Sequence, residues 1–326
     1  MNGGQITRRL LTLLSALMLL QSVPGIVEAQ SYPTKPVRLI VGFAPGGPAD
    51  VIGRALALGL TPLLGQPVIL DNRPGADANI ALELVAKSAP DGYTLHLTPV
   101  SMAINPSLYR SVRYDPVKDF APITLIGHMP NLVTINMSIP ATTLLEFIAY
   151  GKTQNGKLFY GATASNITLA VEMFNRMAGI QTTRVAYKGA GPAILALISG
   201  EIQLLISGIG TLLPQVKAGK IRAVAVTSAT RSSHAPETPT MEEAGLPGYV
   251  ATTWYGLIAP ANTPRTIIDR INAATRRAMI NPEVKPRLLE FIMEPTPMTP
   301  EQFGDYIKAE TVKWGKVVKE SGVTIE

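Results

Sequence analysis

The first segment whose residue types suggest binding chemistry is the glycine-rich turn Phe43-Ala-Pro-Gly-Gly-Pro-Ala-Asp50, between a predicted buried strand and a predicted helix. Gly46 and Gly47 let backbone N–H groups approach a bound anion, and the start of the helix adds partial positive charge. Each helix end contributes roughly 0.3–1 kcal/mol when exposed and up to about 2 kcal/mol when partly buried. Two or three such turns can hold a carboxylate without an arginine, with Asp50 ordering the loop. The alternative is a plain tight turn.

Three further turns occupy the same position at predicted strand ends. Because ligands of open α/β sheets bind at the carboxyl ends of the strands, the four turns together predict one small-molecule site. The three turns are Asn72-Arg73-Pro74-Gly75-Ala76-Asp77-Ala78-Asn79, residues 162–166 and Tyr187-Lys188-Gly189-Ala190-Gly191.

Motifs for catalysis are absent from the sequence. Neither Gly-x-Ser-x-Gly nor His-Glu-x-x-His occurs, and His96, His128 and His234 share no motif. The chain has no cysteine, which excludes disulfides, thiolate catalysis and cysteine metal sites. We therefore expect no catalytic residue, no metal and no cofactor. An exported hydrolase remains an alternative, since an Asp/Glu pair assembled by folding leaves no signal in the spacing.

Strand and helix patterns alternate along the chain, with glycine and proline turns at their junctions. Such alternation predicts an α/β fold with doubly wound parallel sheets. The C-terminal part is predicted to be helical, and both Thr263-Pro264 and Thr299-Pro300-Glu301-Gln302 place a capping threonine before a first-turn proline. The second segment also predicts a capping box between Thr299 and Gln302. The predicted strands are residues 37–42, 67–71, 93–98, 157–162, 183–186, 203–207 and 221–227; the predicted helices are residues 49–64, 77–88, 142–152, 167–178, 191–199 and 211–218.

Two extended segments connect the two sets of alternating elements. Residues 121–136, interrupted by Pro130, lead out of the first set, and residues 254–259 lead back after a proline-rich stretch. Two crossings predict two α/β lobes joined by a two-stranded hinge, with the C-terminal helices packed on the first lobe. We expect residues 30–127 and 256–326 in lobe 1, residues 128–255 in lobe 2, and the ligand in the cleft between them.

The N-terminus is typical of a secretion signal. Arg8 and Arg9 precede the apolar residues 10–20, and the small-residue site Val27-Glu28-Ala29 follows. A spanning helix needs roughly 20 apolar residues, so we expect residues 1–29 to be a signal peptide that is cleaved after about Ala29, giving a periplasmic product. A retained anchor is the alternative. The paired arginines leave ordinary and twin-arginine export both open.

The composition is that of a globular protein with a sizeable core. Hydrophobic residues make up 46% of the chain and charged residues 16%. The formal net charge of +6 is scattered, without the basic patch and interleaved aromatic residues that a nucleic-acid interface needs. We expect no nucleic-acid partner, and a monomer.

Many ordered segments resemble the substrate-binding proteins of tripartite tricarboxylate transporters, the Bordetella uptake gene family, over essentially the whole mature chain. The resemblance is specific because the segments are numerous and in the same order. They are Tyr32-Pro33, Lys35-Pro36-Val37, the 43–50 turn, Asn72-Arg73-Pro74-Gly75-Ala76, Ala89-Pro-Asp-Gly-Tyr-Thr94, residues 114–120, Tyr187-Lys188-Gly189-Ala190, Ala218-Gly219-Lys220-Ile221-Arg222, Ala225-Val226-Thr227, Pro239-Thr240, Glu243-Ala244-Gly245-Leu246-Pro247-Gly248 and Trp254-Tyr255-Gly256.

The resemblance implies a two-lobed periplasmic binding protein of the type II-like, Venus-flytrap kind. Such a receptor closes on a small carboxylate, held largely by backbone amides and ordered waters, and delivers it to a small and a large membrane subunit. A receptor that presents its ligand to a membrane sensor kinase is an alternative. The ligand contacts that the resemblance implies are Phe43, Ala44, Gly46, Gly47, Asp50, Ser101, Thr163, Ser165, Tyr187, Gly189, Ala190 and Ser207. Ser101 is expected in a loop after the third strand.

Two departures from the family pattern bear on the ligand. The turn at residues 162–166 is about two residues shorter than the usual Ser-x-Gly-x-Gly, which leaves the contacts of Thr163 and Ser165 open, and Leu169 stands where the family has a histidine. Asp77 and Ala78 replace paired glycines. We expect Asp77 to add negative charge to the cleft and Leu169 to make it more apolar. These changes would favour a monocarboxylate with an apolar body or an added amino group over citrate.

Overall fold

The computed structural model describes residues 32–187, 189–290 and 293–324. The chain divides into two units, Met1–Thr34 and Lys35–Glu326, and all the described strands and helices belong to the second. The predicted secretion signal, residues 1–29, lies outside the described residues. Among the residues that are described, no helix is both long and apolar enough to cross a bilayer.

The described strands form two sheets. Runs such as Val37-Arg-Leu-Ile-Val41 are almost wholly buried, as expected of a strand that is covered on both faces. The strands are β1 (Val37–Val41), β2 (Val68–Asn72), β3 (Thr94–Pro99), β4 (Phe120–Met129), β5 (Asn131–Asn136), β6 (Leu158–Ala162), β7 (Thr182–Ala186), β8 (Leu204–Gly208), β9 (Ile221–Val226), β10 (Thr253–Pro260) and β11 (Glu294–Pro295).

Helices alternate with these strands and cover the sheets. Helix α1 begins after Gly47 with a first-turn proline and ends at Leu64, before Gly65, whose left-handed conformation is a common helix stop. The helices are α1 (Pro48–Leu64), α2 (Asn79–Ala86), α3 (Ser101–Leu108), α4 (Leu144–Thr153), α5 (Ser165–Ala178), α6 (Ala190–Ser199), α7 (Ile209–Lys217), α8 (Arg265–Met279), α9 (Lys285–Glu290) and α10 (Pro300–Ser321), and a 3-10 turn spans Ala76–Ala78.

The first sheet has six strands in the order β11-β4-β10-β3-β1-β2. β1 runs parallel to β2 and β3, whereas β10 is antiparallel to both β3 and β4. The second sheet has the order β7-β6-β8-β5-β9, with β6 parallel to β7 and β8 and with β5 antiparallel to β8 and β9. The strand that enters each sheet from the other lobe, β10 or β5, runs antiparallel to both of its neighbours, and β11 also runs antiparallel to β4. Each sheet is therefore mixed rather than purely parallel.

Two crossings join the lobes, as the sequence predicts. β4 of the first sheet continues into β5 of the second through Pro130, and the chain returns along β10. Since β4 and β10 pair with each other, the hinge is two-stranded. The molecule is thus a two-lobed α/β protein.

The predicted helix starts have mixed outcomes. At α10, Thr299 accepts from the backbone N–H of Gln302 at 3.2 Å, and the Gln302 side chain accepts from Thr299 N at 3.0 Å, which completes the predicted capping box. The prediction for Thr263 is wrong. Its hydroxyl donates to the Pro260 carbonyl at 2.7 Å, and α8 begins at Arg265 without a side-chain cap.

Helix α10 packs along the hinge side of the first sheet. The indole N–H groups of Trp254 and Trp314 both donate to Glu310 Oε2, at 2.9 and 3.0 Å. The helix also reaches the second lobe, where Glu320 forms an ion pair with Arg176 of α5. The C-terminal helix therefore contacts both lobes, beyond the predicted packing on the first.

Candidate functional site

A cavity of about 230 Å³ lies between the lobes, at the carboxyl ends of β1 and β3 and the start of β10. A larger groove of about 600 Å³ runs between α5 and α10, but it is lined mainly by helix side chains rather than by strand ends. The strand ends are where open α/β sheets bind ligands, so the smaller cavity is the candidate site. Its lining residues are Phe43, Gly47, Pro48, Ala49, Asp77, Pro99, Val100, Ser101, Ala164, Asn166, Thr253 and Tyr255.

Three helix N-termini converge on this cavity. Gly47 precedes α1 and Ser101 begins α3 in the first lobe, while Ala164 precedes α5 in the second. The first N–H groups of a helix have no partner within the helix, and the helix dipole adds partial positive charge there. The cavity is therefore suited to an anionic group.

The side chain of Asp50 stabilises the glycine-rich turn through hydrogen bonds. Its carboxylate accepts from Gly46 N at 3.0 Å, Arg54 Nε at 3.0 Å and Asn72 Nδ2 at 3.1 Å. Asn72 also donates to the Phe43 carbonyl at 3.0 Å. The Arg54 hydrogen bond, helped by those from Gly46 and Asn72, lowers the pKa of Asp50 against the opposing effect of burial. Asp50 thus orders the loop and does not line the cavity.

The turn that carries Asp77 has an unusual backbone. Ala76, Asp77 and Ala78 have successive φ values of 47°, 51° and 71°. Non-glycine residues rarely adopt this left-handed conformation, which costs about 1–2 kcal/mol per residue. The Asp77 carbonyl is held by the Ser101 hydroxyl at 3.1 Å and by Asn105 Nδ2 at 2.9 Å. Helix α3 therefore stabilises the turn against this cost.

The Asp77 side chain lies against the second lobe. The hydroxyl of Ser165, at the start of α5, donates to Asp77 Oδ2 at 2.5 Å. Burial raises the pKa of Asp77, and the Ser165 hydrogen bond only partly offsets that rise. Burial, and then the charge of Asp77, also raises the pKa of Tyr255. The cavity therefore combines one carboxylate, poorly stabilised as an anion, with a neutral tyrosine.

The first-lobe predictions partly coincide with the cavity. Phe43, Gly47 and Ser101 line it, and Ser101 is the first residue of α3 rather than part of a loop. Ala44 and Gly46 belong to the same turn but are exposed and are not among the lining residues.

In the second lobe, the turn before α5 reaches the cavity. Ala164 and Asn166 line it, and Asn166 Nδ2 donates to Thr253 Oγ1 at 3.0 Å. The predicted contacts Thr163 and Ser165 lie next to these residues, with Ser165 bonded to Asp77.

The other predicted second-lobe contacts lie outside the lining. The backbone N–H of Tyr187 donates to the Ala162 carbonyl at 2.9 Å, so its turn is next to residues 163–166. Its hydroxyl donates to Glu201 at 2.8 Å. The predicted second-lobe contacts that are not lining residues of the cavity are Tyr187, Gly189, Ala190 and Ser207.

Leu169 does not make the cavity more apolar, which corrects that expectation. It is fully buried on α5 within the hydrophobic core and is not a lining residue. From this part of the chain, only Ala164 and Asn166, at the start of α5, are among the lining residues. Thr253 and Tyr255 are lining residues that the sequence reasoning missed, although their position at the return crossing was a usable signal.

Comparisons with known proteins show the family to which the chain belongs. Residues 52–323 match the family model described as "Tripartite tricarboxylate transporter family receptor". The chain is 34% identical to Protein BugT of Bordetella pertussis, over 98% of this chain and 99% of that protein.

Two solved structures are similar over most of the chain. One is R. palustris Rpa4515 with adipate, with 35% identity, a TM-score of 0.76, and coverage of 90% of this chain and 99% of that one. The other is MatC (Rpa3494) from Rhodopseudomonas palustris with bound malate, with 31% identity, a TM-score of 0.73, and coverage of 88% and 100%. The chain belongs to the family of tripartite tricarboxylate transporter receptors.

Proposed function

We propose that this receptor captures a small carboxylate in the cavity between its lobes. The observation that carries the proposal is the convergence of the N-termini of α1, α3 and α5 on one cavity at the strand ends. Helix starts from both lobes would share one carboxylate, so binding would draw the lobes together. The solved structures of relatives with adipate and with bound malate support an organic acid as the ligand class.

The ligand's carboxylate is proposed to lie against the turn at residues 43–47 and the start of α3. Thr163 and Ser165 would approach it from the second lobe, as would the neighbouring turn of Tyr187, Gly189 and Ala190, with Ser207 at the next strand end. The proposed lobes are residues 30–127 with 256–326, and residues 128–255. Asp50 acts indirectly by holding Gly46.

The chain is proposed to work by binding alone, as a monomer in the periplasm, after removal of the signal at residues 1–29. Family membership supports a role in delivering the ligand to membrane subunits, one small and one large. No chemical step is required of the cavity, whose polar groups serve as hydrogen-bond donors and acceptors.

A thermal-shift screen against a library of carboxylates tests the proposal. Ligand at about 100 times its Kd adds roughly 2.7 kcal/mol to the free energy of unfolding, so a true ligand should raise the Tm by several degrees. Small-angle scattering with that ligand should show a smaller radius of gyration. If no carboxylate raises the Tm, the proposed function is wrong.

A further inference from the structure

Asp77 is the one charged side chain among the described residues that line the cavity. The other polar side chains that line the cavity are hydroxyls and an amide. Two of them form a hydrogen bond with each other, in which Asn166 donates to Thr253. The hydroxyl of Ser101 donates to the Asp77 carbonyl. The carboxylate is therefore next to the proposed ligand, without a lysine or arginine in the lining to neutralise it.

The backbone that positions this carboxylate is strained and well supported. Three consecutive non-glycine residues, Ala76, Asp77 and Ala78, have positive φ. Asn105 supports the turn through the Asp77 carbonyl and also donates to Asn79 Oδ1 at 2.7 Å, within the buried base of the turn. Strained backbone that is held in this way is typical of functional sites.

The electrostatics of the cavity indicate what would face Asp77. Burial disfavours its anionic form, and a hydrogen bond from Ser165 compensates only partly. A cationic group on the ligand would restore the favourable interaction that burial removes. Gly47, at the N-terminus of α1, also lines the cavity, and a helix N-terminus favours a negative group. One small molecule with both charges would satisfy both Asp77 and this N-terminus.

We propose that Asp77 binds an ammonium group of the ligand, so that the receptor selects amino-carboxylates over plain carboxylates of the same carbon skeleton. This inference rests on the proposed carboxylate-binding function and narrows its ligand class. Ser165 then orients the Asp77 carboxylate from the opposite lobe as the cleft closes.

Matched ligand pairs test the inference by calorimetry on the mature chain. Suitable pairs are aspartate and succinate, glutamate and glutarate, and 4-aminobutyrate and butyrate, which differ only in the ammonium group. A hydrogen bond between charged groups in a partly buried site predicts that wild type binds the ammonium-bearing member of a pair at least about tenfold more tightly.

Three variants separate the roles of charge and hydrogen bonding. Asp77→Asn keeps the shape and suits the left-handed backbone, and it should bind the two members of a pair almost equally. Ser165→Ala keeps the Asp77 carboxylate but loses its hydrogen bond, so it should weaken the binding of both members of a pair and still prefer the ammonium-bearing one. Asp305→Asn makes the same charge change on exposed α10, outside the cavity lining, and should behave as wild type.

The outcomes distinguish this inference from the proposed function. Binding of the plain carboxylates as tightly as their amino partners, or a preference that survives in Asp77→Asn, would overturn the inference and leave the proposed function standing. If no member of any pair binds and a wider carboxylate library also gives no thermal shift, both are overturned.

Discussion

The hydroxyl of Ser165 donates a hydrogen bond to the carboxylate of Asp77, and so connects the start of α5 in one lobe to the strained turn before α2 in the other. This contact spans the candidate cavity. The proposed opening of the cleft would separate the two partners, so we expect the hydrogen bond to stabilise the closed arrangement. Ser165 and Asp77 are therefore expected to set the balance between open and closed forms as well as to border the ligand.

We expect Ser165→Ala to shift the receptor towards the open form. A hydrogen bond to a carboxylate contributes about 1.5–3 kcal/mol, so its loss should raise the ratio of open to closed molecules by about tenfold or more. Small-angle scattering without added ligand should give a larger radius of gyration than wild type. Thr163→Ala changes the neighbouring turn without removing this hydrogen bond and serves as the control. Identical scattering curves for Ser165→Ala and wild type would show that the contact does not affect closure.

Asp77 should make the stability of the protein depend on pH in an unusual direction. Its pKa is raised in the folded state, so the folded protein binds this proton more tightly than the unfolded chain, in which an aspartate has a pKa of about 3.9. Stability is therefore lost as pH rises through the folded pKa. Asp77→Asn cannot ionise and should have a higher Tm than wild type at neutral pH, by up to about 2 °C.

The same comparison below about pH 4 provides the check, because the difference in Tm should disappear there. Thermal unfolding of both proteins across this pH range measures it. Asp305→Asn, an exposed change of equal charge, should show no such pattern. A lower Tm for Asp77→Asn than for wild type at neutral pH would mean that the carboxylate is better stabilised than its burial suggests.

Gly256 should be required for the packing of α10 on β10. A Cβ at this position would overlap the ring of Phe303. We therefore expect Gly256→Ala to lower the free energy of unfolding by about 1–3 kcal/mol, the usual cost of overpacking. Denaturant titration measures this cost. The double variant Gly256→Ala/Phe303→Leu should recover part of it relative to the two single changes, and strictly additive effects would contradict direct overlap.

The features that the sequence predicted correctly depend on residues close together in the chain. The capping box of Thr299 and Gln302 lies within four consecutive residues, and the alternation of apolar runs with helical periods is also local. The position of Pro130 between two extended segments marked one hinge crossing. These features need no knowledge of distant contacts, and the two-lobed fold follows from them.

The features that the sequence did not predict depend on contacts between distant parts of the chain. Ser165 and Asp77 are 88 positions apart, so no spacing rule connects them. Leu169 is one helical turn from Ser165, yet it is fully buried, because only the first turn of α5 borders the cleft. Thr263 lies in a sequence that suits helix capping, but its hydroxyl donates to the Pro260 carbonyl instead. In each case tertiary packing decided the outcome.

Asp50 provides the last prediction, with a pH dependence opposite to that of Asp77. Its side chain is only 5% exposed, and its carboxylate accepts hydrogen bonds from Gly46, Arg54 and Asn72. Asp50→Asn should lower the free energy of unfolding by about 2 kcal/mol, since charge-assisted hydrogen bonds are lost. It should also weaken ligand binding, because the turn at residues 43–47 loses its support.

The chain offers a matched control in Asp269, which pairs with Arg265 at the same helical spacing but is 51% exposed. Asp269→Asn should cost less than about 0.5 kcal/mol and leave binding unchanged, as exposed ion pairs contribute little. The pKa of Asp50 is lowered in the folded state, so its contribution is present above the unfolded value of about 3.9 and is lost as pH falls through the folded pKa. The deficit of Asp50→Asn should therefore be full at neutral pH and shrink on acidification. Equal costs for the two variants at neutral pH would contradict a special role for Asp50 in holding the turn.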